Sequence, residues 1–410
     1  MRVVVALQLP KGSLTEEACD EMVRKVHGPV DEVCGILMQA SLDAVIPKTV
    51  NLRPSLVTNS LCRDHVRERE RTGDLPLPPS PPFFPTPHHI IHVELASIHK
   101  PKQMSSDDAA GGDLPHYEGL LPPSKLRALA SSWLLEDAPS FDGGGFVVGD
   151  VTTTADIFLK SGAVLAGRAF VDAVFRELDC TVTWASWAVD GAELDAGAGS
   201  ERRLLLGSVR GAARKVLLGE RVALNALAEC CAVATAARAA ARQKRAAGWG
   251  GRVAGTRKTT PGFRLVQKFG MAAGGMDTHR MDLSGMVMLK DNHVRVAGGV
   301  GGAVRKARAV VGFSVKIDVE CARVEEAFEA AAAGADVVML DNFGAERFCE
   351  AARAVKEKFP AVLVEGSGGI TMETLKGYMV EEADVVSFSI NRYVKAVDVS
   401  MKVRAVGAEK

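Results

Sequence analysis

Between positions 257 and 290 the chain concentrates groups that bind anions: Arg257, Lys258, His279, Arg280 and Lys290. A guanidinium fork grips a carboxylate or phosphate through paired hydrogen bonds, and an ammonium adds a point charge. Glu320 and Asp341 follow as hard oxygen donors. Such carboxylates hold Mg²⁺ partly through water and ligand phosphates, or accept hydrogen bonds from sugar hydroxyls. Ser367-Gly368-Gly369 then precedes a helix expected to begin near Met372, so its backbone N–H groups can cradle a phosphate. Taken singly these signals are weak. A charged strand end is ordinarily a solvated turn residue, and Ser-Gly-Gly is ordinarily a tight turn. Together they describe a pocket for a polyanion plus a metal.

The elements that must position these groups alternate along the chain. Apolar strand candidates are Arg252–Gly255, Met286–Lys290, Val315–Glu320, Val337–Asp341, Val362–Glu365 and Val385–Ser389. Helical stretches lie between most of them, at Gly299–Val311, Val324–Ala333, Ala345–Phe359 and Met372–Met379. Repeated βα units with apolar strands imply a parallel sheet covered by helices. The pattern leaves open whether that sheet is open or closed as a barrel. In a barrel, every polar strand end would fall on the C-terminal face, where active sites are built. Upstream, Ser124 is placed to cap a helix carrying Leu126, Leu129 and Trp133. The stretch Val164–Val182 reads as strand, helix from about Phe170, and strand. Leu204–Val209 and Ala212–Leu218 read as further strands, and Arg221–Arg242 as a long Ala-rich helix. This part is expected to be an open α/β layer.

Fifty basic residues balance fifty acidic ones, so no global field directs the chain to nucleic acid or an anionic membrane. No apolar run approaches the roughly 18 residues of a membrane span. Val3–Leu9 is a poor signal peptide, being short and followed by Pro10-Lys11. The eight cysteines form no CxxC pair and read as thiols of a reducing compartment, so a cytoplasmic enzyme is expected. Residues 1–117 differ from the rest and are expected to form a poorly ordered extension. Leu75–Pro87 is proline-rich, and Gln103–Asp113 is polar. His88, His89, His92 and His99 cluster between them without acidic or Cys partners at ligand spacing, which favours a solvated segment over a metal site. The Pro-rich run has the composition that docks an SH3-like groove, although linker is the plainer reading.

Gly255–Val294, with TRKTTPG, the His279-Arg280 pair and KDNH in order, resembles the core of quinolinate phosphoribosyltransferases (nicotinate-nucleotide pyrophosphorylases, carboxylating). So do Gly219–Asn225, Val319–Cys321, Ala332–Phe343 and Glu365–Thr371. Order and spacing are similar to the animal and fungal branch, as is the run from Trp133 to Asp150. The resemblance implies an N-terminal open α/β sandwich, expected at 118–235 with the tail 394–410, and a C-terminal α/β barrel at 236–393. It implies a homodimer or homohexamer, with Arg221 reaching the neighbouring subunit's pocket. Quinolinate and phosphoribosyl pyrophosphate would be the substrates and Mg²⁺ the cofactor.

By the same resemblance Arg257, His279, Arg280 and Lys290 bind the two carboxylates of quinolinate. Lys258, Thr259, Glu320 and Asp341 serve phosphoribosyl pyrophosphate, the two acids also holding Mg²⁺. Ser367, Gly368 and Gly369, with backbone near Phe388, Ser389 and Ile390, form the 5-phosphate cradle. Lys258, Lys290, Glu320 and Asp341 would be the catalytic groups. Three departures from the family pattern stand out. Ser389 stands where Gly is usual, Cys231-Ala232 replaces Ser-Gly inside the long helix, and Gly366 replaces Ala or Ser. The first puts close approach of a phosphate in doubt, the second is expected to alter packing, and the third is expected to be harmless. Two rival readings stand beside this one. One is a nicotinate or nicotinamide phosphoribosyltransferase of the same fold, against which the surplus of cations argues. The other is a catalytically inactive barrel that binds ligand, against which Lys258, Glu320 and Asp341 argue.

Overall fold

The structure, a computed structural model, describes residues 4–5, 93–94, 117–196 and 203–404. Contacts divide the chain into two units, 1–98 and 99–410. In the first, Val4–Val5 pairs antiparallel with Val93–Glu94. The expectations for the Pro-rich run, the polar run and the four histidines lie outside the described residues.

The second unit opens with helix α1 (Pro123–Asp137), which buries Leu126, Ala130 and Trp133. Pro122, not Ser124, occupies its N-cap position, and no side chain caps it. Proline fits there because the first helical turn needs no N–H partner. Strand β1 (Thr152–Leu159), helix α2 (Arg168–Glu177), strand β2 (Thr181–Trp184) and strand β3 (Leu204–Ala212) follow. Helix α3 (Ala213–Ala246) comes directly after β3. The expected strand at Ala212–Leu218 is therefore wrong: Ala212 ends β3, and Ala213–Leu218 are the first turns of α3. Its apolar run Val216-Leu217-Leu218 imitates a strand, but burial recurs at Ala213, Val216 and Gly219, which is helical spacing. The Ala-rich helix is accordingly longer at both ends than its sequence signal.

From there the chain winds β4 (Arg252–Gly255), α4 (Arg264–Gly274), β5 (Val287–Leu289), α5 (Asp291–Ala297) and α6 (Val300–Val310). It continues through β6 (Ile317–Cys321), α7 (Val324–Ala332), β7 (Val337–Asp341), α8 (Ala345–Lys358), β8 (Leu363–Ser367) and β9 (Val385–Phe388). The last strand is β10 (Val399–Val403). Helices α4 and α5 carry no sequence expectation above. The helix expected at Met372–Met379 is instead a 3₁₀ turn at Leu375–Tyr378. Thr371 and Thr374 hydrogen-bond each other's backbone N–H through their hydroxyls, which competes with a regular helix start.

Two sheets result. One is antiparallel, ordered β10-β1-β3-β2, with a register shift between Ile157 and Phe158. The other has six parallel strands, ordered β4-β9-β8-β7-β6-β5. Its ladder ends at β4 and β5, and a bridge from Ala254 to Asp277 covers the free edge of β4. Curvature into a barrel follows from side chains meeting inside. Ligand atoms of His279 (after β4), Asp318 (on β6) and Glu365 (on β8) lie within 4.8 Å of one another. Strands about 4.8 Å apart cannot bring these groups together unless the sheet curls.

Helix α3 joins both cores, packing Leu224 and Leu227 on one and Val233 and Ala237 on the other. Helix α4 lies tightly along it. A Cβ added at Gly270 or Gly274 would stand 2.7 Å from Cys230 O or 2.4 Å from Ala234 O. Cys231 is fully buried, and its thiol meets both N and O of Ala166 at 3.4 Å, which accounts for the thiol inside this helix. Gly366 is not simply harmless. An added Cβ there would stand 2.8 Å from the Phe348 ring, so the small residue makes room for that aromatic.

Candidate functional site

Beyond β4 the chain turns through Thr256–Thr259, and a buried lysine holds the turn. Lys268 of α4, 1% exposed, donates to the carbonyls of Gly255 (2.9 Å) and Thr256 (3.2 Å) and to that of Thr278. It thus ties the turn bearing Arg257 to the segment bearing His279 and Arg280. Burial pulls its pKa down to about 8. Asn391 donates to Lys258 O at 2.9 Å and fixes the same turn from the other side. Thr259 stays within this turn, its hydroxyl receiving Arg264 at 3.4 Å. Arg257 keeps a buried Nε without an acceptor. A buried cationic donor left unsatisfied is costly, so it marks where a ligand oxygen belongs.

His279 adopts a left-handed backbone, φ 53°, stabilised by its N–H donating to Asp277 Oδ1 at 2.7 Å. Its Nδ1 accepts the backbone N–H of Arg280 at 2.8 Å. The proton must therefore sit on Nε2, which lies 3.1 Å from each carboxylate oxygen of Glu365. Both ring nitrogens are thus engaged by protein groups. His279 thereby supports Arg280. The same protonation bars Nε2 from serving as a metal ligand, although His279, Asp318 and Glu365 lie close enough to surround an ion. Arg280 is half-buried, and desolvation followed by the charge of Arg257 lowers its pKa. An anion bound within reach of both guanidiniums would offset that repulsion.

The acids stand across the mouth. Lys290 Nζ meets Glu320 Oε1 at 3.1 Å, and Asp291 N–H donates to Oε2 at 3.3 Å. Asp341 accepts from the Asn342 side chain. Its pKa is raised by burial and then by Glu320, while Lys290 and Lys258 oppose the rise. Glu320, Asp341, Lys258 and Lys290 therefore act on one another. Gly368 brings the expected anion cradle to the same place: at φ 78°, an added Cβ would stand 2.6 Å from Asp341 Oδ1. Gly369 is also left-handed, at φ 66°. With no α-helix behind it, the cradle at Ser367–Gly369 rests on the turn's own N–H groups rather than on a helix terminus.

Other expected residues take narrower places. Phe388 and Ile390 bury their side chains in the core, leaving only backbone for a ligand. Ser389 has φ −84°, so its position demands no glycine, and its Oγ lies 3.1 Å from Thr256 Oγ1. Arg221 is exposed on α3 and is not brought to the pocket by contacts within its own chain.

Four residues that shape the site escaped sequence reading: Lys268, Asp318, Glu365 as a supporting group, and Ser387. Asp318 is fully buried, and neither of its carboxylate oxygens has a hydrogen-bond partner. Burial, then the charge of Glu365, pushes its pKa well up. The available signal was a charge inside an apolar strand, since Asp318 and Glu320, like Glu365 and Ser367, are two apart and share the inward face.

Models of the C-terminal and N-terminal domains of quinolinate phosphoribosyl transferase match residues 233–402 and 141–231. The carboxylating nicotinate-nucleotide pyrophosphorylase of Rattus norvegicus is 47% identical over 289 residues, covering 70% of this chain and 94% of that protein. Its Homo sapiens counterpart is 48% identical over 287 residues, with coverage of 70% and 94%. Among solved structures, the nicotinate-nucleotide pyrophosphorylase of Francisella tularensis is similar at a TM-score of 0.60 and 30% identity, over 69% of this chain and 98% of that one. NadC from Streptococcus pyogenes is similar at 0.61 and 33%, with the same coverage. With an anion pocket at the mouth of a parallel barrel and such relatives along nearly their whole length, this chain belongs to the quinolinate phosphoribosyl transferase family.

Proposed function

We propose that the chain transfers the phosphoribosyl group of 5-phosphoribosyl 1-pyrophosphate to quinolinate, releasing pyrophosphate and CO₂ and leaving nicotinate mononucleotide for NAD biosynthesis. The observation that carries this reading is the surplus of cations: the charge of Arg257 acts on Arg280, and Arg257 has a buried donor without an acceptor. A dicarboxylate matches two guanidiniums better than a single carboxylate does.

Arg257, Arg280 and Lys290 would grip quinolinate so that its ring nitrogen faces the ribose C1′. The nitrogen lone pair forms the new bond while the C1′–oxygen bond breaks and pyrophosphate leaves with the electron pair. Positioning and fixed charge carry most of this step. Lys258 is placed to offset charge on the departing group, and Glu320 and Asp341 to offset positive charge on the ribose. The bond from C2 to its carboxylate then breaks, CO₂ leaves, and the electron pair stays on C2 as a carbanion stabilised by the adjacent positive nitrogen until C2 takes up a proton. The substrate itself carries the stabilising charge, so the reaction needs no organic cofactor.

Two carboxylates without a closed cage suit Mg²⁺, which takes its remaining ligands from water and substrate phosphates. Glu320 and Asp341 would hold it, and the ion would neutralise pyrophosphate charge. The exposed Arg221 fits a homodimer, alone or within a hexamer, in which it completes the partner's pocket. Free thiols at Cys180, Cys230, Cys231, Cys321 and Cys349 fit a cytoplasmic setting. Among the described residues, no helix is long and apolar enough to cross a membrane.

The test is turnover of carboxyl-labelled quinolinate with phosphoribosyl pyrophosphate, beside nicotinate as competitor. Labelled CO₂ and nicotinate mononucleotide should appear together. Turnover of nicotinate alone would establish the single-carboxylate reaction instead, and binding without turnover would establish an inactive barrel.

A further inference from the structure

We propose that Glu365 and Ser387 are positioning residues that couple the two halves of the site, the anion cradle at Ser367–Gly369 and the carboxylate clamp at Arg280. The inference rests on the function proposed above.

Glu365 is 2% exposed and sits inside the barrel between two donors. On one side is Nε2 of His279, 3.1 Å from both carboxylate oxygens. On the other is Ser387 Oγ, 2.5 Å from Oε1. A hydroxyl has one proton, so Ser387 gives its own to Glu365 and only accepts from elsewhere. Ser367 Oγ lies 3.0 Å from Ser387 Oγ and donates its proton to the backbone carbonyl of Ser387 at 3.4 Å. At the far end, Nδ1 of His279 holds the Arg280 backbone N–H. A continuous line of hydrogen bonds runs from Ser367 through Ser387, Glu365 and His279 to Arg280.

This line is poor glue. A carboxylate is buried next to Asp318, whose oxygens are unpartnered, and apolar side chains would hold these strands together at lower cost. A buried charge does supply polarity that passes along the chain. When a phosphate oxygen reaches the cradle, the Ser367 hydroxyl turns to it. Ser387 O loses that proton, the hydroxyl dipole 3.0 Å from Ser387 Oγ turns away, and the bond from Ser387 to Glu365 weakens. Glu365 then holds the imidazole N–H more tightly, and the imidazole fixes the Arg280 backbone. Phosphate occupancy should thus tighten the grip on quinolinate, and quinolinate should tighten phosphate binding by the same factor.

The experiment measures quinolinate affinity of the full chain by calorimetry, with and without saturating ribose 5-phosphate. The wild type should bind quinolinate at least roughly fivefold more tightly when the sugar phosphate is present. In Ser387→Ala that ratio should fall to about one, whatever the variant does to quinolinate alone. Glu365→Gln should also lose the ratio. In ¹⁵N-histidine spectra the wild type should show His279 with bare Nδ1 and protonated Nε2, assigned by His279→Gln, and Glu365→Gln should change that pattern. A melting curve checks that each variant is folded, and Ser387→Ala removes only one oxygen. Retention of the wild-type ratio in Ser387→Ala overturns the inference, as does a wild-type ratio of one. Failure of the wild type to bind quinolinate at all overturns the function itself, and the inference with it.

Discussion

The two ends of the parallel sheet treat their charges in opposite ways. At the N-terminal ends of the strands every acid named here is matched. Asp336 Oδ2 accepts Ile317 N–H at 2.7 Å and Arg308 at 2.5 Å. Asp384 Oδ2 accepts Val364 N–H at 2.8 Å and meets Lys356 at 2.7 Å. A recess of about 440 Å³ beside Trp249 and Asp384 opens at this end, where Arg252 pairs with Asp277 and Asp384 with Lys356. At the C-terminal ends, Arg257 Nε goes unsatisfied and His279 and Asn342 hold left-handed backbones, while Asp318, buried within β6, is left without a partner in the interior below them. One end is closed by its own partners, while the other withholds partners for a ligand. Such asymmetry separates stability from chemistry within a single sheet.

The sharpest way to break this comparison is to remove one cation from the open end. Arg280→Ala should lower kcat/KM for quinolinate by about 3 kcal/mol, roughly 150-fold, with little change in melting temperature. A variant within threefold of wild type would remove Arg280 from the clamp. At the closed end the balance should reverse. Asp336→Asn weakens two hydrogen bonds, one to an arginine, and should cost about 1–3 kcal/mol in denaturant unfolding while leaving kcat/KM per folded molecule within about threefold. A large catalytic defect there would erase the distinction.

Asp318 sharpens it. Its pKa is raised in the folded state, so the fold binds a proton that the unfolded chain releases. Its contribution to stability is present below the unfolded pKa of about 3.9 and fades as pH rises toward the folded value. Asp318→Asn should remove that decline and, near neutral pH, raise stability by about 1 kcal/mol while lowering activity. Unfolding curves for both proteins across pH 4–8 that stay parallel would contradict this. The smallest effect belongs to Ser389→Gly. Because φ is −84°, glycine frees no strain, and kcat/KM should move by less than about twofold. A tenfold gain would show that Ser389 obstructs the phosphate.

The barrel strands were legible because continuous apolar runs between helices leave few other folds, and their polar ends located the mouth. The cradle and the acids were legible for the same reason, as they sit where strands stop. The register of contacts inside was not. Nothing in a linear pattern says that His279 reaches Glu365, because that pairing depends on a left-handed residue and on how tightly the sheet curls. Lys268 lies in an amphipathic helix where a lysine ordinarily faces water, and only the loop carbonyls brought to it explain its burial. At Ala212–Leu218, local β propensity lost to helical packing of Val216 against the first core.

One consequence follows from β10, whose residues Val399–Val403 lie beside Ala155–Leu159. A growing polypeptide exposes that flank of β1 until position 403 has left the ribosome. Premature termination anywhere downstream of the first sheet's other strands therefore yields a fragment with an unprotected edge, the kind of surface on which neighbouring nascent chains aggregate.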